Sequence, residues 1–152
     1  MARSSTSVDV AVIGAGPYGL SLAANLRARG VDHRIFGEPM AAWKSNMPPG
    51  MLLKSYPWAS SISDPGSDFT VKSFCTERAL PYHDELMPLP LNRFIEYGEA
   101  FQMRYVPAVE RKVLMALEPG PGDLRASFDN GETVHARRVV VAIGRASCRE
   151  RV

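Results

Sequence analysis

The chain has 152 residues, of which 45% are apolar and 22% are charged, and its formal net charge is +2. The apolar content excludes a disordered chain, two cysteines exclude a disulfide scaffold, and the balanced charge argues against an electrostatic nucleic-acid binder. No apolar run approaches the roughly 20 residues that span a bilayer. We therefore expect one domain of the reducing cytoplasm, with neither a membrane nor a nucleic acid as partner.

The beginning of the chain predicts a strand, a glycine turn, a helix and a second strand. Val8–Ile13 is a β-branched run typical of a strand buried in a parallel sheet. A glycine-rich turn follows at once and opens a helix with an apolar face, which we expect to end at Gly30. The run His33–Phe36 predicts the next strand. Together these elements form a βαβ opening.

The glycine turn fits the GxGxxG fingerprint of dinucleotide-binding folds in its required context between strand and helix. Its residues are Gly14, Ala15, Gly16, Pro17, Tyr18 and Gly19. The first glycine permits the tight turn, the second lets the backbone approach a pyrophosphate, and the third allows the helix to pack closely on the strand. The alternative is a glycine-rich turn without a ligand.

A carboxylate at the end of the second strand normally binds the ribose hydroxyls of the dinucleotide. Here Gly37 directly follows the strand, and the acid, Glu38, comes one residue later. Glu38 either reaches the ribose from a bent strand end or is a solvated loop residue.

The rest of the chain carries weaker signals. Helices are predicted at residues 40–45, 70–78 and 91–104, and strands at 109–117, 124–128, 133–136 and 138–143. The turn Asp129-Asn130-Gly131 predicts a hairpin. The three histidines lack metal-ligand spacing, and no hydrolase motif supplies a nucleophile, so we predict neither a metal site nor a catalytic side chain.

Four segments resemble the two-dinucleotide-binding-domain flavoproteins and, among them, the flavin-containing monooxygenases and N-hydroxylases. They are VAVIGAGPYGLSLAANL, Trp43, RFIEYGEAF and RVVVAIG, and the resemblance covers residues 8–144. It implies a Rossmann-like α/β domain whose βαβ unit binds FAD and is followed by a three-stranded β-meander. Residues 1–142 would then be the N-terminal part of an FAD/NAD(P)-binding domain that is incomplete here.

The resemblance also implies roles for individual residues. The glycine turn would hold the FAD pyrophosphate, the main chain of Val113 would lie near the adenine, and Gly144 would pass close to the cofactor. Trp43 lies in a stretch that approaches the flavin end in this group, together with Lys54 and Ser55. Packing or solvated roles for these last three residues remain the alternative, and we interpret Met47 as core or loop filler.

In a complete member of this group, NADPH would reduce FAD, and oxygen would form a C4a-peroxyflavin that oxidises a soft nucleophile such as an amine. A second GxGxxG for NADPH is absent from this sequence. Two alternatives stay open: a flavoprotein reductase or oxidase without oxygenation, and a non-catalytic dinucleotide-binding module.

The final segment, IGRASCRERV at residues 143–152, fits no structural expectation, because a buried strand runs straight into an arginine-rich end. It matches one reading frame of a common sequencing adapter residue for residue. We therefore expect a non-native tail, with a second GxGxxG following residue 142 in the gene.

Overall fold

The computed structural model describes residues 6–144 and shows a mixed α/β fold built on one five-stranded sheet. In chain order its elements are β1 (Thr6–Ile13), α1 (Pro17–Ala28), β2 (His33–Phe36), α2 (Ala41–Ser45), a 3₁₀ turn (Pro57–Ser60), α3 (Val71–Glu77), α4 (Leu91–Tyr105), β3 (Leu114–Pro119), β4 (Leu124–Phe128) and β5 (Thr133–Val141). The strand order is β2-β1-β5-β4-β3. The first three are parallel, and β4 and β3 continue the sheet antiparallel. The predicted βαβ unit and β-meander are confirmed.

Strand β1 is buried on both of its faces. Val10 and Val12 of β1 pack into a core with α1, α3 and α4, whereas Ala11 and Ile13 pack into a second core under the meander. In that second core the Phe36 ring contacts the ring of Phe128 on β4, with centroids 4.2 Å apart. A strand buried on both sides needs apolar residues at consecutive positions, which explains the unbroken apolar run Val10–Ile13 in β1.

Two of the strand predictions were wrong. Residues 133–136 and 138–143 were expected to form separate strands, but β5 is continuous from Thr133 to Val141, because β1 pairs with it along almost its whole length. The strand expected from residue 109 starts only at Leu114. The segment before it is bound elsewhere: the Glu110 N–H donates to the Ile35 carbonyl, and the Glu110 carbonyl accepts from the Gly37 N–H, both at 2.9 Å.

The loop between the 3₁₀ turn and α3 is fixed by Tyr97 of α4. The fully buried Tyr97 hydroxyl accepts from the Ile62 N–H at 2.9 Å and donates to the Phe69 carbonyl at 2.7 Å. Asp64, which is 4% exposed, accepts from the backbone N–H groups of Gly66 and Phe69. Buried polar groups are therefore satisfied in a region that lacks regular secondary structure.

A cluster of four charged side chains ties the meander to β2. The Arg34 guanidinium donates two hydrogen bonds to Glu110, at 2.5 and 2.6 Å, and one to Glu132 at 2.9 Å. Lys112 donates to both carboxylates. The hydrogen bonds from Arg34 lower the pKa of Glu110, and those from Lys112 lower the pKa of Glu132.

This cluster makes stability depend on pH. A carboxyl whose pKa is lowered by folding stabilises the fold above its unfolded pKa, and that contribution is lost as the pH falls through the lowered value. We expect urea titrations between about pH 5 and pH 3 to show a loss about 1 kcal/mol larger in the wild type than in Glu132→Gln. Glu118→Gln, which changes an exposed carboxylate paired with Arg125, is the control and should leave the pH dependence unchanged. Equal pH dependence in the wild type and Glu132→Gln would contradict this role.

Candidate functional site

A cavity of about 490 Å³ opens where the three parallel strands end. Gly14 follows β1, Gly37 follows β2 and Ala142 follows β5, and all three residues line it. The complete lining is Gly14, Ala15, Gly16, Pro17, Tyr18, Gly37, Glu38, Ala41, Ala42, Trp43, Met47, Ala142, Ile143 and Gly144. Ligands of open α/β sheets bind at the carboxyl ends of the strands, so the cavity lies at the position expected for a ligand.

Short backbone contacts hold the three strand ends together. The Gly14 N–H donates to the Phe36 carbonyl at 2.8 Å, and the Ala142 N–H donates to the Ile13 carbonyl at 2.7 Å. Helix α1 begins directly against this junction, since a Cβ placed on Gly19 would lie 1.9 Å from the Gly14 carbonyl oxygen. No side chain larger than hydrogen fits at Gly19 without displacing the turn.

The amino end of α1 is open at the cavity. Gly16 precedes the helix, no side chain caps its N–H groups, and its first turn contains no acidic residue. A Cβ placed on Gly16 would meet nothing within 4 Å, so the backbone here faces open space. Free N–H groups and the helix dipole both favour a phosphate at such a position.

The cavity wall is mostly apolar and contains one charged residue, Glu38, among the residues that line it. The indole of Trp43 packs edge-on against Phe94 of α4, with ring centroids 4.6 Å apart. The Glu38 carboxylate lies 3.5 Å from Lys44 Nζ and 3.3 Å from Arg111 Nε. The arrangement suits a ligand with an anionic group, a hydroxyl-bearing group and apolar rings.

The structure brings most of the predicted site residues together. Eight of them line the cavity: Gly14, Ala15, Gly16, Pro17, Tyr18, Glu38, Trp43 and Gly144. Gly19 lies behind the turn, where it allows the helix to approach the strand. Lys54 and Ser55 are not among the lining residues.

Val113 lies apart from the lining residues and is 61% exposed. Its N–H donates to the Asp129 carboxylate at 3.1 Å, and its carbonyl accepts from the Asp129 N–H at 3.0 Å. The main-chain contact with adenine therefore stays a prediction.

Sequence reasoning missed several lining residues. Gly37, Ala41, Ala42, Ala142 and Ile143 were not predicted, and Met47, interpreted as filler, also lines the cavity. The helix predicted at 40–45 could have placed the two alanines, because a short helix after a strand end lies beside the glycine turn. Of the predicted tail at residues 143–152, the structure describes Ile143 and Gly144, and residues 145–152 lie outside the described residues.

Features of two other function classes are absent from residues 6–144. There, no group of three His, Cys, Asp or Glu side chains is arranged to hold a metal ion. None of the helices in that range is both long enough and apolar enough to cross a membrane.

Comparison with known proteins agrees with this geometry. The family described as "FAD binding domain" matches residues 7–42, which cover β1, the glycine turn, α1, β2 and the start of α2. The chain is 32% identical, over 153 aligned residues, to indole-3-pyruvate monooxygenase YUCCA1 of Oryza sativa subsp. japonica. The alignment covers 93% of this chain and 33% of that protein. The chain thus spans about a third of the length of this relative.

Solved structures show the same architecture. A flavin-containing monooxygenase from Stenotrophomonas maltophilia superposes with a TM-score of 0.69 at 26% identity, over 90% of this chain and 38% of that one. The bacillithiol disulfide reductase Bdr from Staphylococcus aureus gives a TM-score of 0.74 at 18% identity, over 91% and 39% of the two chains, and shows the fold alone. By motif, sequence and fold, the chain resembles the FAD-binding region of the flavin monooxygenases.

Proposed function

We propose that the cavity holds the adenosine diphosphate half of FAD, and that this region serves an NADPH-dependent monooxygenase. The observation that carries the proposal is the convergence of three parallel strand ends on the open amino end of α1, beside one acid. A diphosphate, a ribose and an adenine match those features in charge and hydrogen bonding. The cavity volume of about 490 Å³ lies within the range of small-molecule and cofactor sites.

Each part of the lining has a proposed role in binding. The turn Gly14–Gly19 and the first N–H groups of α1 would hold the pyrophosphate. Glu38 would accept hydrogen bonds from the ribose hydroxyls, and Ala41 and Trp43 would exclude water from the bound cofactor. FAD, when bound, supplies the redox chemistry of oxygenation, and the chain's own residues bind it, orient it and shield it.

The reductant and substrate belong to the proposal alone. NADPH would deliver electrons to the flavin, and an amine or another soft nucleophile would receive oxygen. The protein encoded by the complete gene should consume NADPH in a substrate-dependent manner and release an oxygenated product. NADPH consumption without that product would identify a reductase or oxidase instead.

Binding of FAD can be tested on the chain itself. We expect saturable binding of one FAD per chain, measured by flavin fluorescence. ADP should compete with FAD, whereas FMN should not, because FMN lacks the adenosine half that the cavity is proposed to hold. Competition by FMN equal to that by ADP, or no FAD binding, would overturn the proposal.

Two glycine substitutions should separate binding from folding. The Cβ of Gly16→Ala would occupy open space next to the amino end of α1, so FAD affinity should fall about tenfold or more while urea unfolding is unchanged. The Cβ of Gly19→Ala would meet the Gly14 carbonyl, and the free energy of unfolding should fall by more than about 2 kcal/mol.

Gly122→Ala is the matched control, because Gly122 lies in the β3–β4 turn and its Cβ would also meet open space. Its φ of +87° makes a small loss of stability expected, but its FAD affinity should equal that of the wild type. Unchanged FAD affinity in Gly16→Ala would show that the turn does not bind the pyrophosphate.

A further inference from the structure

The structure explains why the acid at the end of β2 comes one residue late. Gly37 occupies the position directly after the strand with a φ of +132°, a conformation that side-chain-bearing residues rarely adopt. A Cβ there would also lie 3.2 Å from the Ala15 backbone nitrogen. The backbone junction with the glycine turn therefore excludes a carboxylate at residue 37, and Glu38 is the first position that can carry one.

An acid displaced in this way needs its side chain directed to the cavity. Lys44 lies between two carboxylates: its Nζ is 3.5 Å from Glu38 Oε1 and 2.6 Å from Glu99 Oε1 on α4. The other oxygen of Glu38, Oε2, lies 3.3 Å from Arg111 Nε. Each carboxylate oxygen of Glu38 thus has its own cation.

The two cations differ in how firmly they are held. The Lys44 side chain is 31% exposed and is paired with Glu99. Its backbone is held in helix α2, where the Lys44 N–H donates to the Met40 carbonyl at 3.0 Å. The Arg111 side chain is 69% exposed, and its ion pair with Glu38 is its only one among the described residues. An exposed pair of this kind is weak and easily exchanged for another partner.

We propose that Lys44, anchored by Glu99, is a positioning residue that directs the displaced Glu38 carboxylate to the adenosine ribose. Arg111 is the partner that the ribose hydroxyls displace, while Lys44 stays in place. The inference rests on the proposed binding of the adenosine diphosphate half of FAD and adds the residues that make Glu38 able to take part.

The test compares ADP with 2′-deoxy-ADP, because the two nucleotides differ only in the 2′-hydroxyl, from which Glu38 would accept a hydrogen bond. Dissociation constants are measured for the wild type and for Glu38→Gln, Lys44→Met and Glu99→Gln. The wild type should prefer ADP about tenfold, since a hydrogen bond to a charged group is lost with the hydroxyl. That preference should fall to about twofold or less in Glu38→Gln and Lys44→Met, with Glu99→Gln intermediate.

Lys72→Met is the matched control, because Lys72 is an exposed lysine of α3 whose nearest carboxylate is 4.0 Å away. It should keep the full preference for ADP. If Lys44 only stabilised the fold, replacing it would weaken the binding of ADP and of 2′-deoxy-ADP equally. The ratio of the two dissociation constants therefore reports positioning of Glu38. Thermal unfolding shows whether each variant folds. If Lys44→Met does not fold, Glu99→Gln provides the test instead.

The outcomes separate the two proposals. A wild type that binds neither FAD nor ADP overturns the proposed function and this inference with it. A wild type that binds both, with Lys44→Met and Glu99→Gln retaining the tenfold preference, overturns the inference alone. Equal affinity of the wild type for the two nucleotides also overturns it, because Glu38 would then not accept a hydrogen bond from the 2′-hydroxyl of the ribose.

Discussion

The close approach of α1 to the end of β1 is the constraint on which the site depends. Because Gly19 has no side chain, the helix begins against the Gly14 carbonyl, and its amino end is brought to the junction where the parallel strands stop. The hydrogen bonds of Gly14 and Ala142 to the neighbouring strands then close the floor of the cavity. Helix packing and the proposed anion binding therefore depend on the same few backbone atoms.

Stability and site are connected through the segment before β3. Glu110 binds Arg34 through its side chain and Gly37 through its carbonyl, so the charged cluster also fixes the backbone at the end of β2. The next residue, Arg111, reaches Glu38 at the cavity. The segment that leads into β3 thus sets the surroundings of Glu38, the candidate ribose-binding acid.

Local patterns predicted the part of the fold that local physics determines. The bounds of β2 and β4 were correct, and the helix predicted at 91–104 was within one residue of α4. In each case a short run of suitable residues ends at a turn or proline, which needs no knowledge of the rest of the chain. The glycine spacing likewise predicted the turn that lines the cavity.

The errors arose where distant residues decide the structure. The late start of β3 depends on Glu110 pairing with β2, and the continuity of β5 depends on β1, at the other end of the sequence. Lys44 and Glu99 are far apart in the chain, and no local pattern links them, so their contact beside Glu38 was not predictable. Pairings of this kind become visible only when the topology is known.

The most direct test of the central claim is the location of ADP on the folded chain. Backbone amide resonances of the isotope-labelled protein, followed by NMR during an ADP titration, should shift at residues 14–19, 37–38 and 142–144, where the strand ends and α1 meet. Resonances of the β3–β4 turn should not move. A second cavity of about 300 Å³ lies between Arg27, His33 and Val106. Shifts confined to those residues would contradict the account.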